Sequence, residues 1–313
     1  MINGTAKFNL VNEIKSDVKF KKVKFPDGQQ DIVIENGALP ALANGGVTII
    51  SRFKSFLDLE LIVCAVAALR ELDPDMDIHL DIPYLLGARS DRKFQEGGTW
   101  YLKDVLTPII NSLNFKSVEL YDPHSTVSTN LIKRVRVTPN YSIVQHAIDM
   151  FYCHSKSYVS NTRTGKNVCD REELTDPDFI VISPDAGALH KIYKSNEAIK
   201  FKGETVTCMK ERDKDGKISN VVVPKQDFGG KDVFIIDDIC DGGRTFIEIA
   251  EAIKKRNTGK VNLVVSHGIF SKGFEVLSQC FDNIYVTNSV SDLNQNATHR
   301  GNGVKWIYQL NII

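Results

Sequence analysis

The 313-residue chain has no surplus of charge of either sign: 39 Lys and Arg offset 39 Asp and Glu. Without a basic excess there is no global field to draw it onto nucleic acid. It also lacks an apolar run of the ~20 residues needed to span a bilayer. The longest candidate, "LELIVCAVAALREL", is bounded by charges and reads as a buried helix. The opening segment "MINGTAKFNLVNEIKSD" has no apolar centre of the kind a secretory signal needs. No two of the six cysteines form a C-x-x-C pair, which argues against a zinc knuckle or a disulfide framework. A reducing cytoplasm is the expected location. What remains is ordinary globular material, 42% hydrophobic and 25% charged, in a chain long enough for two domains.

Short apolar runs alternate with helix-period segments, the mark of an α/β chain with largely parallel strands. Residues 46–51, 77–85 and 116–122 are expected as strands, with helices at 56–72 and 100–113 between them. A second half repeats the scheme, with strands in "DFIVISPDAG", "DVFIIDDIC", "VNLVVSHGIF" and "NIYVTNSV" and helices from "ALHKIYK" and over 245–255. The expectation is two related domains, 1–140 and 141–290, each an open, mostly parallel sheet flanked by helices. The tail 291–313 is an optional addition to the first. Residues 160–178 read as a polar excursion, and "KERDKDGKISN" as a polar hairpin or loop. Ligands of such sheets bind beyond the carboxyl ends of the strands.

Charge and glycine collect at those ends. In "VFIIDDICDGGRTFIEIA" a strand delivers Asp237 and Asp238, whose side chains alternate between the two faces. Gly242 and Gly243 then let backbone N–H groups approach an anion, at the N-terminus of a helix, with Thr245 as a hydroxyl donor. Arg244 stands inside this turn. The stretch "PYLLGARSDRKFQEG" concentrates Arg89, Arg92 and Lys93 around Asp91, and arginine forks suit phosphate oxygens and adenine faces.

These stretches carry a family resemblance. "FIIDDICDGGRT" resembles the ribose-phosphate loop of type I phosphoribosyltransferases and of ribose-phosphate diphosphokinases, the PRPP synthetases. The "PYLLGARSDRK" segment resembles the diphosphokinases' "PYxxYARQDRK". "SPDAGALHK" is similar to their "SPDxGG", "LYDPHST" to "DLHxxQ", "KFPDGQQDI" to "FxDGE", and "MKERDKDGK" to their mobile catalytic loop. Six motifs fall in the family's order between about residues 20 and 290.

The resemblance implies a phosphoribosyltransferase-like fold and Mg²⁺-dependent transfer of the diphosphoryl group of ATP to the 1-hydroxyl of ribose 5-phosphate. It implies catalytic roles for Lys210 and Arg212. It implies ATP binding by Phe25, Asp27, Gln29, Arg89, Asp91, Arg92, Lys93 and His124, the first three reaching a neighbouring subunit of a homo-oligomer. The acceptor would lie on Asp185, Asp237, Asp238, Asp241, Gly242, Gly243, Arg244 and Thr245, and the metal on His124 and Asp185. The chain departs from the pattern at Gln29, where the family has Glu, and at "DGGRT", where it has "DTAGT" or "DTGGT". An arginine in the cradle opens a second reading, an acceptor extended at the 5' position such as ADP-ribose. A third reading is a non-catalytic partner of a synthetase. A base phosphoribosyltransferase is disfavoured by the ATP-loop match.

Overall fold

Alternating apolar and helical segments build two separate parallel sheets in a computed structural model of the chain. It describes residues 4–35, 37, 45–155, 179–199, 201–212, 218–293 and 306–313. The chain divides into two units, residues 1–138 with Ile313, and residues 139–312. The polar excursion of 160–178 lies outside the described residues.

In the first unit five strands stand parallel in the order β1 (Ala6–Asn9), β4 (Val47–Ile50), β5 (Ile78–Asp81), β6 (Ser117–Tyr121) and β7 (Val135–Thr138). A separate antiparallel ribbon, β2 (Phe20–Lys24) with β3 (Gln30–Ile34), pairs Lys24 with Gln30 beside its turn. Helix α1 (Phe56–Leu72) has the bounds its periodicity predicts. Ser55 and Asp58 form a reciprocal capping box at its start, and Leu59, Ile62, Ala65, Val66 and Leu69 are buried. The helix expected at 100–113 begins as a wide turn, Leu102–Leu106, in which Thr107 N–H bonds to Leu102 O, and continues as α2 (Thr107–Ser112). Helix α3 (Thr126–Leu131) joins β6 to β7. Alternation along the central strands sorts Ile49, Ile78, Leu80 and Val118 to one face. Thr48, His79, Asp81, Ser117 and Glu119 occupy the other.

The second unit opens with α4 (Tyr141–Ser155). Its sheet runs β15 (Trp306–Leu310), β14 (Asn283–Thr287), β13 (Val261–Gly268), β12 (Asp232–Cys240), β8 (Phe179–Ser183) and β9 (Thr205–Thr207), every pair parallel. The tail therefore supplies an edge strand of this second sheet, rather than joining the first domain. Helix α5 (Ala186–Ala198) follows β8, α6 (Arg244–Lys254) follows β12 and α7 (Glu275–Cys280) precedes β14. One sheet face packs Val233, Ile235 and Leu263 with Phe246, Ile249 and Ile253 of α6. The other packs Phe234, Ile236 and Val264 with Ile143, Ala147 and Phe151 of α4 and Ile192 of α5. Cover on both faces explains why these strands read as unbroken apolar runs. The "KERDKDGKISN" segment forms an antiparallel ribbon of β10 (Met209–Arg212) and β11 (Ile218–Val222). Among the described residues no helix is long and apolar enough to cross a membrane.

Candidate functional site

From β8 the chain moves through α5 to β9 on one side of the second sheet. From β12 it moves through α6 to β13 on the other. The direction of winding reverses between β8 and β12, and a crevice opens beyond the carboxyl ends of such neighbours. Both strands deliver carboxylates there. Asp185 is the N-cap of α5, its Oδ1 accepting from Ala188 N at 2.9 Å. Asp237 and Asp238 close β12, and Asp238 N donates to Asp237 Oδ1 at 2.8 Å.

The two neighbours have different surroundings. Asp238 is buried and forms an ion pair with Lys191 of α5, Nζ to Oδ2 3.1 Å. Asp237 is half-buried, and its carboxyl is pushed well above the ordinary range by burial, then by Asp238 and, more weakly, Asp185. The pair therefore offers one carboxylate neutralised by an ammonium and one carboxyl that holds its proton more tightly. Burial with the charges of Asp237 and Asp241 also pushes the Cys240 thiol up to about 12, so it stays protonated and unreactive. Among the described residues no three His, Cys, Asp or Glu side chains gather as a metal cluster.

The turn after β12 is shaped by its glycines. Gly243, the N-cap of α6, has φ +78°, a left-handed conformation, and a β-carbon there would lie 2.6 Å from Leu277 Cδ2. Gly243→Ala should therefore cost about 2–3 kcal/mol, from backbone strain and overpacking together. The urea unfolding midpoint would fall accordingly, and an unchanged midpoint would mean that Leu277 yields at no cost. Gly242 faces the loop that follows β13: a β-carbon there would lie 3.3 Å from Lys272 Cγ and 3.8 Å from Ser271 Oγ. Thr245 is half-buried in the first turn of α6.

Arg244 does not fill the cradle. Its side chain is 77% exposed and turns along its own helix to Glu248, Nε to Oε1 2.7 Å. Lys191, beside Asp238, and Ser271 and Lys272, beside Gly242, are neighbours of the candidate site that motif reading passed over. Lys191 stands in the quoted "SPDAGALHK" on the helix that Asp185 caps, and the other two follow a strand's carboxyl end, a position that carries ligands in such sheets.

In the first unit the candidate nucleotide residues fall on three segments. Arg89, Arg92 and Lys93 are exposed on the irregular stretch after β5, with Asp91 half-buried between them. The Arg92 guanidinium lies 5.5 Å from the centre of the Phe94 ring. Gly87 in this stretch has φ +68° and lies against the Tyr101 ring. His124 is half-buried in the loop after β6, and Tyr121 N donates to Pro83 O at 3.2 Å, tying the two loops together. Phe25, Asp27 and Gln29 are exposed at the tip of the β2–β3 ribbon, where Asp27 Oδ1 accepts from Gln29 N at 3.1 Å. Lys210 and Arg212 sit on β10, at the register of Val221 and Ile218, with an irregularity between Glu211 and Arg212.

Known proteins resemble this chain in sequence and in fold. Residues 196–307 match the family described as the phosphoribosyl synthetase-associated domain. The ribose-phosphate pyrophosphokinase of Pyrococcus furiosus is 25% identical over 300 residues, 93% of this chain and 94% of that protein. That of Mycoplasmopsis pulmonis is 33% identical over 121 residues, 38% of this chain and 37% of that protein. The crystal structure of the phosphoribosylpyrophosphate synthetase from Mycobacterium smegmatis superposes with a TM-score of 0.70 at 16% identity, covering 94% of this chain and 86% of that one. With the two α/β units and the ordered motifs, these make the chain similar to the ribose-phosphate pyrophosphokinases, or PRPP synthetases, as a divergent relative.

Proposed function

We propose that the protein transfers the diphosphoryl group of ATP to the 1-hydroxyl of ribose 5-phosphate. The sugar oxygen attacks the β-phosphorus, the bond from that phosphorus to the α-phosphate's bridging oxygen breaks, AMP leaves, and the hydroxyl proton is released. The observation that carries this reading is what stands at the carboxyl ends of β8 and β12. There a carboxylate set, Asp185, Asp237 and Asp238, adjoins a glycine turn at a helix N-terminus. Carboxyl groups suit the sugar hydroxyls, and the turn with Asp241, Gly242, Gly243 and Thr245 suits a phosphate. The relatives named above are ribose-phosphate pyrophosphokinases, which supports the same donor and acceptor here.

Arg89, Arg92 and Lys93 then bind ATP, with His124 at the diphosphate and Phe25, Asp27 and Gln29 addressing the nucleotide of a neighbouring copy in a homo-oligomer. Lys210 and Arg212 neutralise charge on the transferred group. Mg²⁺ takes few protein ligands when phosphates supply the rest, and the hard oxygen donor of Asp185 suits that mode. When bound, the ion supplies charge neutralisation between ATP and a phosphorylated sugar.

A second reading, the same chemistry on a 5'-extended ribose such as ADP-ribose, draws on Arg244. Its exposed guanidinium on the first turn of α6 could meet a second phosphate if it left Glu248. Incubation with Mg-ATP and either ribose 5-phosphate or ADP-ribose, with AMP as the readout, separates these readings. AMP with ribose 5-phosphate is the expected result. AMP with ADP-ribose alone would move the assignment to the extended acceptor. AMP with neither would leave a non-catalytic partner of a synthetase.

A further inference from the structure

We infer that Lys272, seated by Ser271, is the specificity-determining cation for the acceptor's 5'-phosphate, an inference that rests on the acceptor site proposed above. The loop after β13 is tied to the end of β12: Ile269 N and Phe270 N both donate to Cys240 O, at 2.8 and 3.2 Å. This anchor stands two residues before Gly242, and it brings Ser271 and Lys272 over the side of the turn where residue 242 has no side chain. Lys272 Cγ is 3.3 Å from the position a β-carbon would take, so the flexible end of the lysine lies within reach of an anion on the turn.

Charge accounting singles out the same residue. The crevice carries Asp185, Asp237, Asp238 and Asp241, which oppose a phosphate unless a cation stands near it. Lys191 is committed to Asp238, and Arg244 is committed to Glu248 on the outer side of α6. Lys272 is exposed and forms no ion pair among the described residues. It is the cation of this loop cluster left for the ligand. The absence of a side chain at Gly242 also gains a second reason: it makes room for the lysine as well as for the phosphate.

The test uses the full chain. In steady-state AMP release, Lys272→Ala should raise the KM for ribose 5-phosphate roughly 10- to 100-fold, the loss expected for a charged hydrogen bond, with the KM for ATP unchanged. Lys272→Arg should recover most of that loss. Gly242→Ala, whose new methyl displaces the lysine stem, should raise the same KM. Arg244→Ala should raise it less than Lys272→Ala does. Ribose without its phosphate should react equally with wild type and Lys272→Ala. A wild-type KM in Lys272→Ala, equal losses with ribose and ribose 5-phosphate, or a larger loss in Arg244→Ala would each overturn the inference. If wild type releases no AMP, calorimetric titration with ribose 5-phosphate and with ADP-ribose separates the two failures. Binding weakened in Lys272→Ala keeps the inference while the transfer reaction falls; binding that is absent, or equal in both proteins, removes it.

Discussion

Lys210→Ala is expected to lower turnover by two to three orders of magnitude while leaving the KM for ATP within a few-fold of wild type. Diphosphoryl transfer builds charge between the attacking sugar oxygen and the departing α-phosphate, and a protein contributes mainly position and compensating charge. A preorganised cation at such a place is worth ~3–4 kcal/mol in the transition state, which is the stated factor in rate. Lys210 lies on β10, which pairs among the described residues with β11 alone. On the proposed mechanism a cation there acts on the charge that develops during transfer more than on ground-state binding. The signature is therefore a fall in kcat matched by kcat/KM for both substrates. Near wild-type turnover in this variant would remove Lys210 from the reaction, and a fall seen only in ATP affinity would make it a binding residue.

Much of the framework around the candidate site is legible in the sequence because its elements sit where local rules are strict. The bounds of α1 follow from the Ser55–Asp58 cap and an apolar stripe at helical spacing, and β12 from an apolar run that ends in two aspartates. The edge strands β1 and β7 and the β2–β3 ribbon were not read as strands. "AKFN" and "VRVT" are four residues each, and "FKKVK" is mostly charged, so pairing partners distant in sequence decide them. Arg244 shows a different kind of limit. Its position in the turn was plain, but its direction depends on Glu248 four residues on, a pairing that helix geometry favours and that "RTFIE" displays. Lys272 could be flagged only as lying beyond a strand end. Its approach to Gly242 arises from the hydrogen bonds of a loop some thirty residues away along the chain.

Urea unfolding of the wild-type protein is expected to need progressively less denaturant between about pH 4 and pH 7 than that of Asp81→Asn, on top of any trend the two share. Asp81 lies on the polar face of the first sheet, directly across from Glu119 in the register of β5 and β6. It is 2% exposed, and neither carboxyl oxygen has a hydrogen-bond partner among the described residues. Burial, reinforced by the charge of Glu119, raises its pKa from 3.8 to about 7. Below pH 4 the acid is protonated in folded and unfolded chains alike, and its titration takes nothing from stability. Above that, the unfolded chain ionises while the folded chain holds its proton, so stability falls until the folded group also ionises near 7. The displacement from 3.8 to about 7 corresponds to a loss on the order of 4 kcal/mol. Asparagine does not titrate, so the difference between variant and wild type should grow from near zero at pH 4 and level off above 7. Asp237 is also raised, but it titrates in both proteins and cancels in that difference. A difference that stays flat across this range would mean that Asp81 is ionised throughout and held by a positive partner. The role of the polar face would then be to bind charge, not to exclude it.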